Sequence, residues 1–276
     1  MTGPTRAACA ALLAMLAALP ASGPRSGEPA GGGPAAEQPV PESCRPCKRQ
    51  DGDAAKKAAW DQAHAQFLEL AKKGGVELLF LGDSITNQWR EQGQPVWDQH
   101  FAKLSAANFG VNGDQTQNVL WRVQNGELDG LAPKLIVLLI GTNNTAKSRH
   151  SPEDITAGVS AILAVIRAKC PKSKVLLLGI FPTKLDPESF IRRNNDQTNL
   201  LLAKLDDGGK TLRFLNINDR LTERDRSITH ELFPDQLHLS EKGYAIWAEA
   251  IIGPVRELMG PKPAGEEKKP AAPPEK

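Results

Sequence analysis

The 276-residue sequence is poor in several features that mark particular classes of protein. It holds one Tyr, four Cys and five His, and its formal net charge at pH 7 is only +2. Nucleic-acid binding usually needs a concentrated basic face, so this class is not expected. No group of Cys and His has the spacing of a metal site, because Cys44 and Cys47 lack two further ligands nearby. The sequence therefore implies no metal and no cofactor.

The first residues have the pattern of a signal peptide, which we place at residues 1–23. Arg6 supplies a positive charge, Ala7–Leu19 is apolar, and small or turn-forming residues follow at 20–23. The apolar run is too short to cross a bilayer comfortably, so no stable membrane anchor is expected. The pattern predicts a secreted or periplasmic protein.

Two segments are rich in Pro, Gly and charged residues and poor in large apolar side chains. Residues 24–52 are predicted to be a flexible linker and residues 261–276 a disordered tail, which leaves one domain at 53–260. Cys44 and Cys47 lie in the linker, where an exported protein could join them by a local disulfide. Cys170 is interpreted as a small structural residue.

Short apolar runs alternate with helical patterns through the predicted domain. Strands are expected at 76–81, 105–109, 135–140, 174–179 and 212–217, and helices at 53–73, 116–124, from 151, at 188–205 and from 240. Such alternation indicates parallel βαβ units. We therefore predict a flavodoxin-like, three-layer αβα fold with a five-stranded, mostly parallel sheet, whose ligands lie beyond the carboxyl ends of the strands.

Gly82–Ser84 directly follows the first predicted strand and contains the candidate nucleophile, Ser84. A strand-to-helix turn can hold a serine hydroxyl above the sheet, and Gly82 permits a close approach of backbone. The tripeptide by itself is a weak signal, since a chain of this length contains it by chance about 5–10% of the time. An alternative is a helix N-cap serine in a phosphate-binding loop, but no Gly-Lys-Ser/Thr sequence stands here.

A serine hydroxyl needs a base to take its proton, and His238 is the best candidate among the five His. It follows Asp235 by three residues and precedes the last predicted helix. At this spacing the carboxylate can reach the imidazole Nδ1–H, which would fix the ring tautomer. The other four His are interpreted as ordinary surface or core residues.

Two further loops offer hydrogen-bond donors for an oxyanion. Asn108–Asp114 follows the second predicted strand, and its glycines can present backbone N–H groups. Gly141–Asn144 follows the third, and a side-chain amide there can donate. Gly and Asn are also common in plain turns. An active site is favoured over plain turns, because Ser84 and both loops follow consecutive strands at the same end of the predicted sheet.

In chain order these segments resemble the four sequence blocks of the SGNH (GDSL) hydrolases. The resemblance is closest to the catalytic subunits of the platelet-activating-factor acetylhydrolase IB group and covers about residues 55–255. It is carried by Asn108–Asp114, Val119–Arg122, Asn125–Leu128, Gly141–Asn144 and Leu237–Leu239, with Trp60, His64 and Phe67 before the first strand.

The resemblance implies a role for each site residue. Ser84 would be the nucleophile, His238 the base and Asp235 its orienting partner. The oxyanion hole would consist of the backbone N–H of Ser84 and of Gly113 and the side chain of Asn143. Related subunits dimerise, so a homodimer is a further expectation.

Two residues depart from the family pattern, and the reaction is predicted better than the substrate. Ile85 stands where the family name has Leu, and Asn112 where the related group has Gly. The predicted activity is release of a short acyl group, acetyl above all, from a small-molecule or carbohydrate ester. The alternatives are an acyltransferase with the same machinery and a non-catalytic glycan-binding module.

Overall fold

The structure, a computed structural model, describes residues 39–261. The predicted signal peptide, most of the predicted linker and all but one residue of the predicted tail lie outside the described residues. Among residues 39–261 no helix is long and apolar enough to span a membrane.

Five parallel strands form one sheet in the order β2-β1-β3-β4-β5. They are β1 (Leu78–Gly82), β2 (Ala106–Gly110), β3 (Leu135–Leu139), β4 (Lys174–Leu178) and β5 (Leu212–Leu215). β1 and β3 are buried at every position, as expected for strands covered on both faces. This order is the flavodoxin-like one, and the predicted fold class is confirmed.

Helices cover both faces of the sheet. They are α1 (Ala54–Lys73), α2 (Ser84–Asn87), α3 (Gln94–His100), α4 (Thr116–Arg122), α5 (Thr142–Ser148), α6 (Pro152–Lys169), α7 (Phe190–Leu202) and α8 (Glu241–Met259). Alternate side chains of each strand enter two separate apolar clusters. One cluster lies under α1, α4, α6 and α7, and the other lies under α2, α3 and α8. The protein is therefore a three-layer αβα domain.

The chain packs against the domain earlier than the composition indicates. Residues 39–52 fall in the predicted linker, yet Ser43 and Cys44 are buried. Ser43 Oγ donates to the carbonyl of Asp154 at 2.6 Å, and Thr116 Oγ1 donates to the carbonyl of Ser43 at 3.0 Å. The packed part of the chain thus begins well before residue 53. Two buried residues among many Pro and charged residues produce no periodic pattern that could predict it.

The structure has no disulfide between Cys44 and Cys47. Cys44 packs in the apolar cluster under α6, whereas the Cys47 thiol is free and lies 3.9 Å from Asn118 Nδ2. The two side chains therefore lie in different surroundings, one in the core and one against α4. Cys170 is buried and its thiol faces the carbonyl of Leu131, in keeping with a structural role.

Candidate active site

Ser84 is the first residue of α2, separated from the end of β1 only by Asp83. Asp83 caps this helix by accepting the N–H of Ile85 at 3.0 Å. Gly82 admits no side chain, because a Cβ there would stand 2.3 Å from the carbonyl oxygen of Leu139. The short turn holds Ser84 at the carboxyl edge of the sheet with 8% of its surface exposed.

His238 and Asp235 are aligned with the Ser84 hydroxyl. His238 Nε2 lies 2.9 Å from Ser84 Oγ, and His238 Nδ1 lies 2.6 Å from Asp235 Oδ2. Both contacts are within hydrogen-bond distance. Although Ser84 and His238 are 154 positions apart in sequence, the three residues form one continuous chain of polar atoms.

The loop that carries Asp235 and His238 is held by its own backbone. Asp235 Oδ1 accepts the N–H of Leu237 at 3.0 Å and of His238 at 2.7 Å. Gln236, between them, adopts a left-handed conformation with φ of 64°. Burial opposes ionisation of Asp235, but the two backbone donors and the His238 ring together hold the pKa of this carboxyl below its ordinary value. The carboxylate is therefore charged at neutral pH.

Asn143 and Gly113 approach Ser84 from two other strand ends. Asn143 lies at the start of α5, after β3, and its Nδ2 donates to the carbonyl of Asp114 at 3.0 Å. Gly113 follows β2 and has a φ of 80°, a conformation that favours glycine. Both residues line the same cleft as Ser84 and His238.

Asp83 is a buried acid beside the candidate nucleophile that sequence reasoning did not single out. Its Oδ2 lies 3.4 Å from Asn143 Nδ2, and the residue is 1% exposed. Burial raises the pKa of Asp83 to about 7, against the hydrogen bond from Ile85. Only its position within Gly82–Ser84 pointed to it, since an acid at this place in a turn could equally have been exposed.

A buried network of charges stands behind the donor loop and was also missed. Asp114 accepts Trp60 Nε1–H at 2.7 Å and Arg122 Nε–H at 2.8 Å. Arg122 also donates to Glu127, whose other oxygen lies 2.8 Å from His64 Nδ1. Burial raises the pKa of Asp114 to about 6, opposed by the Arg122 charge and its hydrogen bonds. Trp60 lies 54 positions from Asp114, and His64 lies 63 from Glu127. All these residues lie in segments that carry the family resemblance, but their sequence gave no sign that they form one buried network.

One cleft of about 490 Å³ unites the candidate site residues. Asp235 lies behind the His238 ring and is not among the lining residues. Those are Arg49, Lys56, Ala59, Trp60, Ala63, Ser84, Asn87, Gln88, Gly110, Val111, Asn112, Gly113, Asn143, Leu237 and His238. Among the described residues no cluster of three or more His, Cys, Asp and Glu side chains could hold a metal ion.

The sequence is similar to a known family of hydrolases over most of the described domain. Residues 80–246 match the family described as GDSL-like lipase/acylhydrolase. The human platelet-activating factor acetylhydrolase IB subunit alpha1 is 35% identical over 200 residues, which cover 72% of this chain and 84% of that protein.

Two solved structures are similar in fold. A GDSL-like lipase from Bacteroides thetaiotaomicron superposes with a TM-score of 0.55 at 19% identity, over 70% of this chain and 98% of its own. An acetylxylan esterase from Geobacillus stearothermophilus, solved as a catalytic mutant, gives a TM-score of 0.53 at 17% identity, over 68% and 96% of the two chains. The chain therefore belongs to the GDSL-like lipase/acylhydrolase family, and it is a hydrolase.

Proposed function

We propose that this hydrolase is a serine esterase that releases a short acyl group, acetyl, from an ester through an acyl-enzyme. One observation carries the proposal. Ser84 Oγ lies 2.9 Å from His238 Nε2, and Asp235 Oδ2 lies 2.6 Å from His238 Nδ1. A nucleophile, a base and a group that orients the base are the parts that this reaction needs.

In the first step Ser84 Oγ bonds to the ester carbonyl carbon while its proton passes to His238 Nε2. Asp235 accepts the His238 Nδ1–H and stabilises the imidazolium that forms. When the tetrahedral intermediate collapses, the bond from carbon to the alcohol oxygen breaks. The His238 proton goes to that oxygen, so the alcohol leaves and the acyl group remains on Ser84.

In the second step water replaces the alcohol. His238 takes a proton from the water, whose oxygen attacks the acyl carbon, and then returns that proton to Ser84 Oγ as the acid leaves. The same groups therefore serve both halves of the reaction, and the enzyme ends in its starting state.

The negative oxygen of both tetrahedral intermediates needs donors. We assign the N–H groups of Ser84 and Gly113 and the Nδ2 of Asn143, which come from the ends of β1, β2 and β3. Such preorganised donors commonly contribute about 10²- to 10³-fold each to kcat. One N–H of Asn143 Nδ2 donates to the carbonyl of Asp114 and orients the amide, and the second, near Asp83 Oδ2 at 3.4 Å, is the one we assign to the oxyanion.

The preference for acetyl rests on the names of similar proteins and on the cleft. One relative is named as an acetylhydrolase and one structural neighbour as an acetylxylan esterase, and both names denote the removal of acetyl groups. The side chains that line the cleft are mostly small or polar, with Trp60, Val111 and Leu237 as the larger apolar ones. A short acyl group fits this lining better than a long chain.

The first test is hydrolysis of p-nitrophenyl acetate by Ser84→Ala and His238→Ala. Each change should lower kcat by at least about 10⁴-fold, because the residues act as one unit. Ser227→Ala and His100→Ala, which alter the same residue types outside the cleft, serve as matched controls. Full turnover by either site variant would refute the mechanism.

A second measurement addresses the acyl group and the acceptor. Turnover of acetyl, butyryl and octanoyl esters should fall as the chain lengthens. Adding a sugar acceptor should leave free acid as the main product. Acyl transfer to the sugar in excess of acid release would assign the chain as an acyltransferase instead.

Export and dimerisation stay proposals of the same kind. N-terminal sequencing of protein recovered from the producing cells should begin near residue 24 if the predicted leader at 1–23 is removed. Light scattering on the purified chain measures whether two copies associate.

A further inference from the structure

The charged residues that line the cleft have one sign. They are Arg49 and Lys56, and none of the described lining residues is Asp or Glu. A site for a neutral ester needs no charge at its mouth. The pair of cations therefore suggests a second feature of the substrate.

Arg49 reaches the cleft from the packed segment before α1, outside the residues that match the family. Its Nη1 donates to the carbonyl of Asn112. A Cβ on Gly113 would stand 2.8 Å from its Nη2, so the guanidinium lies over that glycine. The cation is thus adjacent to one of the proposed oxyanion donors.

The guanidinium keeps unused donors. Arg49 Nε donates to the carbonyl of Asp51, Nη1 to Asn112 and Nη2 toward Asp51 Oδ2. A guanidinium has five N–H groups in a planar fork. Two therefore remain, one on each terminal nitrogen, an arrangement that suits a carboxylate or a phosphate.

Nearby acids do not cancel the positive charge. Asp51 is shared by Arg49 at 3.1 Å and Lys147 at 2.8 Å, so these three groups carry one net positive charge. Hydrogen bonds and charge from these two cations outweigh burial and lower the pKa of Asp51, which stays ionised. Lys56 lies 3.9 Å from Asp53, a loose and exposed pair. The buried Asp114 is paired with Arg122.

We propose that Arg49, assisted by Lys56, binds an anionic group on the alcohol part of the ester. The inference rests on the proposed function and names its substrate class: acyl esters whose alcohol carries a carboxylate or a phosphate. Both cations line the same cleft as Ser84, so an anionic group on the alcohol part can reach them while the acyl group lies at Ser84. Binding the anion would position the ester carbonyl against Gly113.

Matched ester pairs test the proposal on the full chain. One pair is the O-acetyl ester of a methyl galactosiduronate, a glycoside with a free carboxylate, and that of the matching methyl galactoside. The other pair is acetylglycerol phosphate and acetylglycerol. For at least one pair kcat/KM should favour the anionic member by about tenfold or more, as a charge-assisted contact contributes. The pair that shows the preference identifies a carboxylate or a phosphate as the anion.

Arg49→Gln should lower kcat/KM for the anionic ester by about tenfold more than for the neutral ester, because loss of the bond to the Asn112 carbonyl affects both esters but loss of the cation affects only the anionic one. Arg49→Lys should restore part of the preference, and Lys56→Gln should reduce it less. Lys57→Gln, a neighbouring exposed lysine outside the cleft, is the charge-matched control and should retain the preference.

Two results would overturn the proposal: no preference in wild type for either pair, or an equal loss on both members in Arg49→Gln. The second result would show that Arg49 only supports the donor loop. Failure of the proposed function is separate, since wild type would then hydrolyse none of the four esters and no p-nitrophenyl acetate.

Discussion

The two sides of the cleft are built in opposite ways. On the base side, His238 and Asp235 sit on a loop, with 24% and 55% of their side chains exposed. On the donor side, Asp114 and Arg122 behind Gly113 and Asn143 are fully buried. One side is held by local hydrogen bonds at the surface, and the other by a buried ion network.

The difference agrees with the chemistry proposed for each side. The base must exchange protons with water and with the leaving alcohol, so it needs access to solvent. The oxyanion donors must be fixed before the charge develops, because donors that have to reorient lose their advantage. We infer that fold stability and active-site rigidity are linked on the donor side and separate on the base side.

Removing Arg122 should have the largest effect on stability. Arg122→Ala leaves Asp114 and Glu127 buried without their cation, which costs about 3–5 kcal/mol in the free energy of unfolding. Urea denaturation measures it. Arg213→Ala, which breaks a bidentate surface pair with Glu257, is the control and should cost much less. Equal losses in the two variants would contradict the view that the buried network supports the donor side.

Asp83 should make stability depend on pH. Its pKa in the folded state, about 7, lies above the ordinary value of 3.8, so the folded protein holds a proton that the unfolded chain releases. Stability from this group is therefore present below about pH 4 and is lost as pH rises to about 7. Relative to Asp83→Asn, wild type should lose about 2–4 kcal/mol over that range.

Denaturation curves of the two proteins at about pH 4, 5, 6 and 7 measure this difference. Asp114, whose folded-state pKa is also raised, contributes in the same direction in both proteins. Because the charge of Asp114 is one cause of the raised pKa of Asp83, this contribution cancels only in part in the comparison. Parallel pH profiles would show that the Asp83 carboxyl ionises as easily in the folded state as in the unfolded chain.

Asn143→Ala should lower stability less than the loss of Arg122 does, but it should lower activity strongly. The carbonyl of Asp114 loses its hydrogen-bond donor, which should lower the free energy of unfolding by about 1–2 kcal/mol. Because an oxyanion donor acts in the transition state, kcat should fall about 10²- to 10³-fold with KM little changed. A rise in KM at constant kcat would instead make Asn143 a ground-state binding residue.

Asp235→Asn should have the smallest effect on stability, about 1 kcal/mol or less, because the side chain is more than half exposed. Its kcat should still fall about 10²- to 10⁴-fold, since the amide no longer fixes the His238 tautomer. Asp225→Asn, on another exposed loop, should leave kcat unchanged. A fall in stability as large as that of Arg122→Ala would erase the contrast between the two sides.

Local sequence patterns predicted the strands that carry Ser84 and the donor side of the cleft. The apolar run at 76–81 predicted β1, and the run at 135–140 predicted β3, because strands buried on both faces need apolar residues at nearly every position. Parallel strands bring the loops at their carboxyl ends to one edge of the sheet, which places Ser84, Gly113 and Asn143 in the same cleft.

Contacts between distant residues had no such pattern. Trp60 meets Asp114 across 54 positions and His64 meets Glu127 across 63, and each looks like an ordinary core or surface residue in its own segment. Arg49 lies in a segment whose composition indicates a linker. The composition of a segment averages over all its residues, whereas two buried side chains such as Ser43 and Cys44 are enough to pack a short segment against the domain.

The sequence by itself determined the αβα order of elements, the family, and the choice of Ser84 and His238 as candidate site residues. Local patterns suffice for these, because buried strands appear as short apolar runs and turns as clusters of Gly, Asn and Asp. Tertiary structure alone decided which charges are buried together behind Gly113 and which cation stands over it. These depend on chain segments meeting in space, and burial then sets how strongly each charge acts.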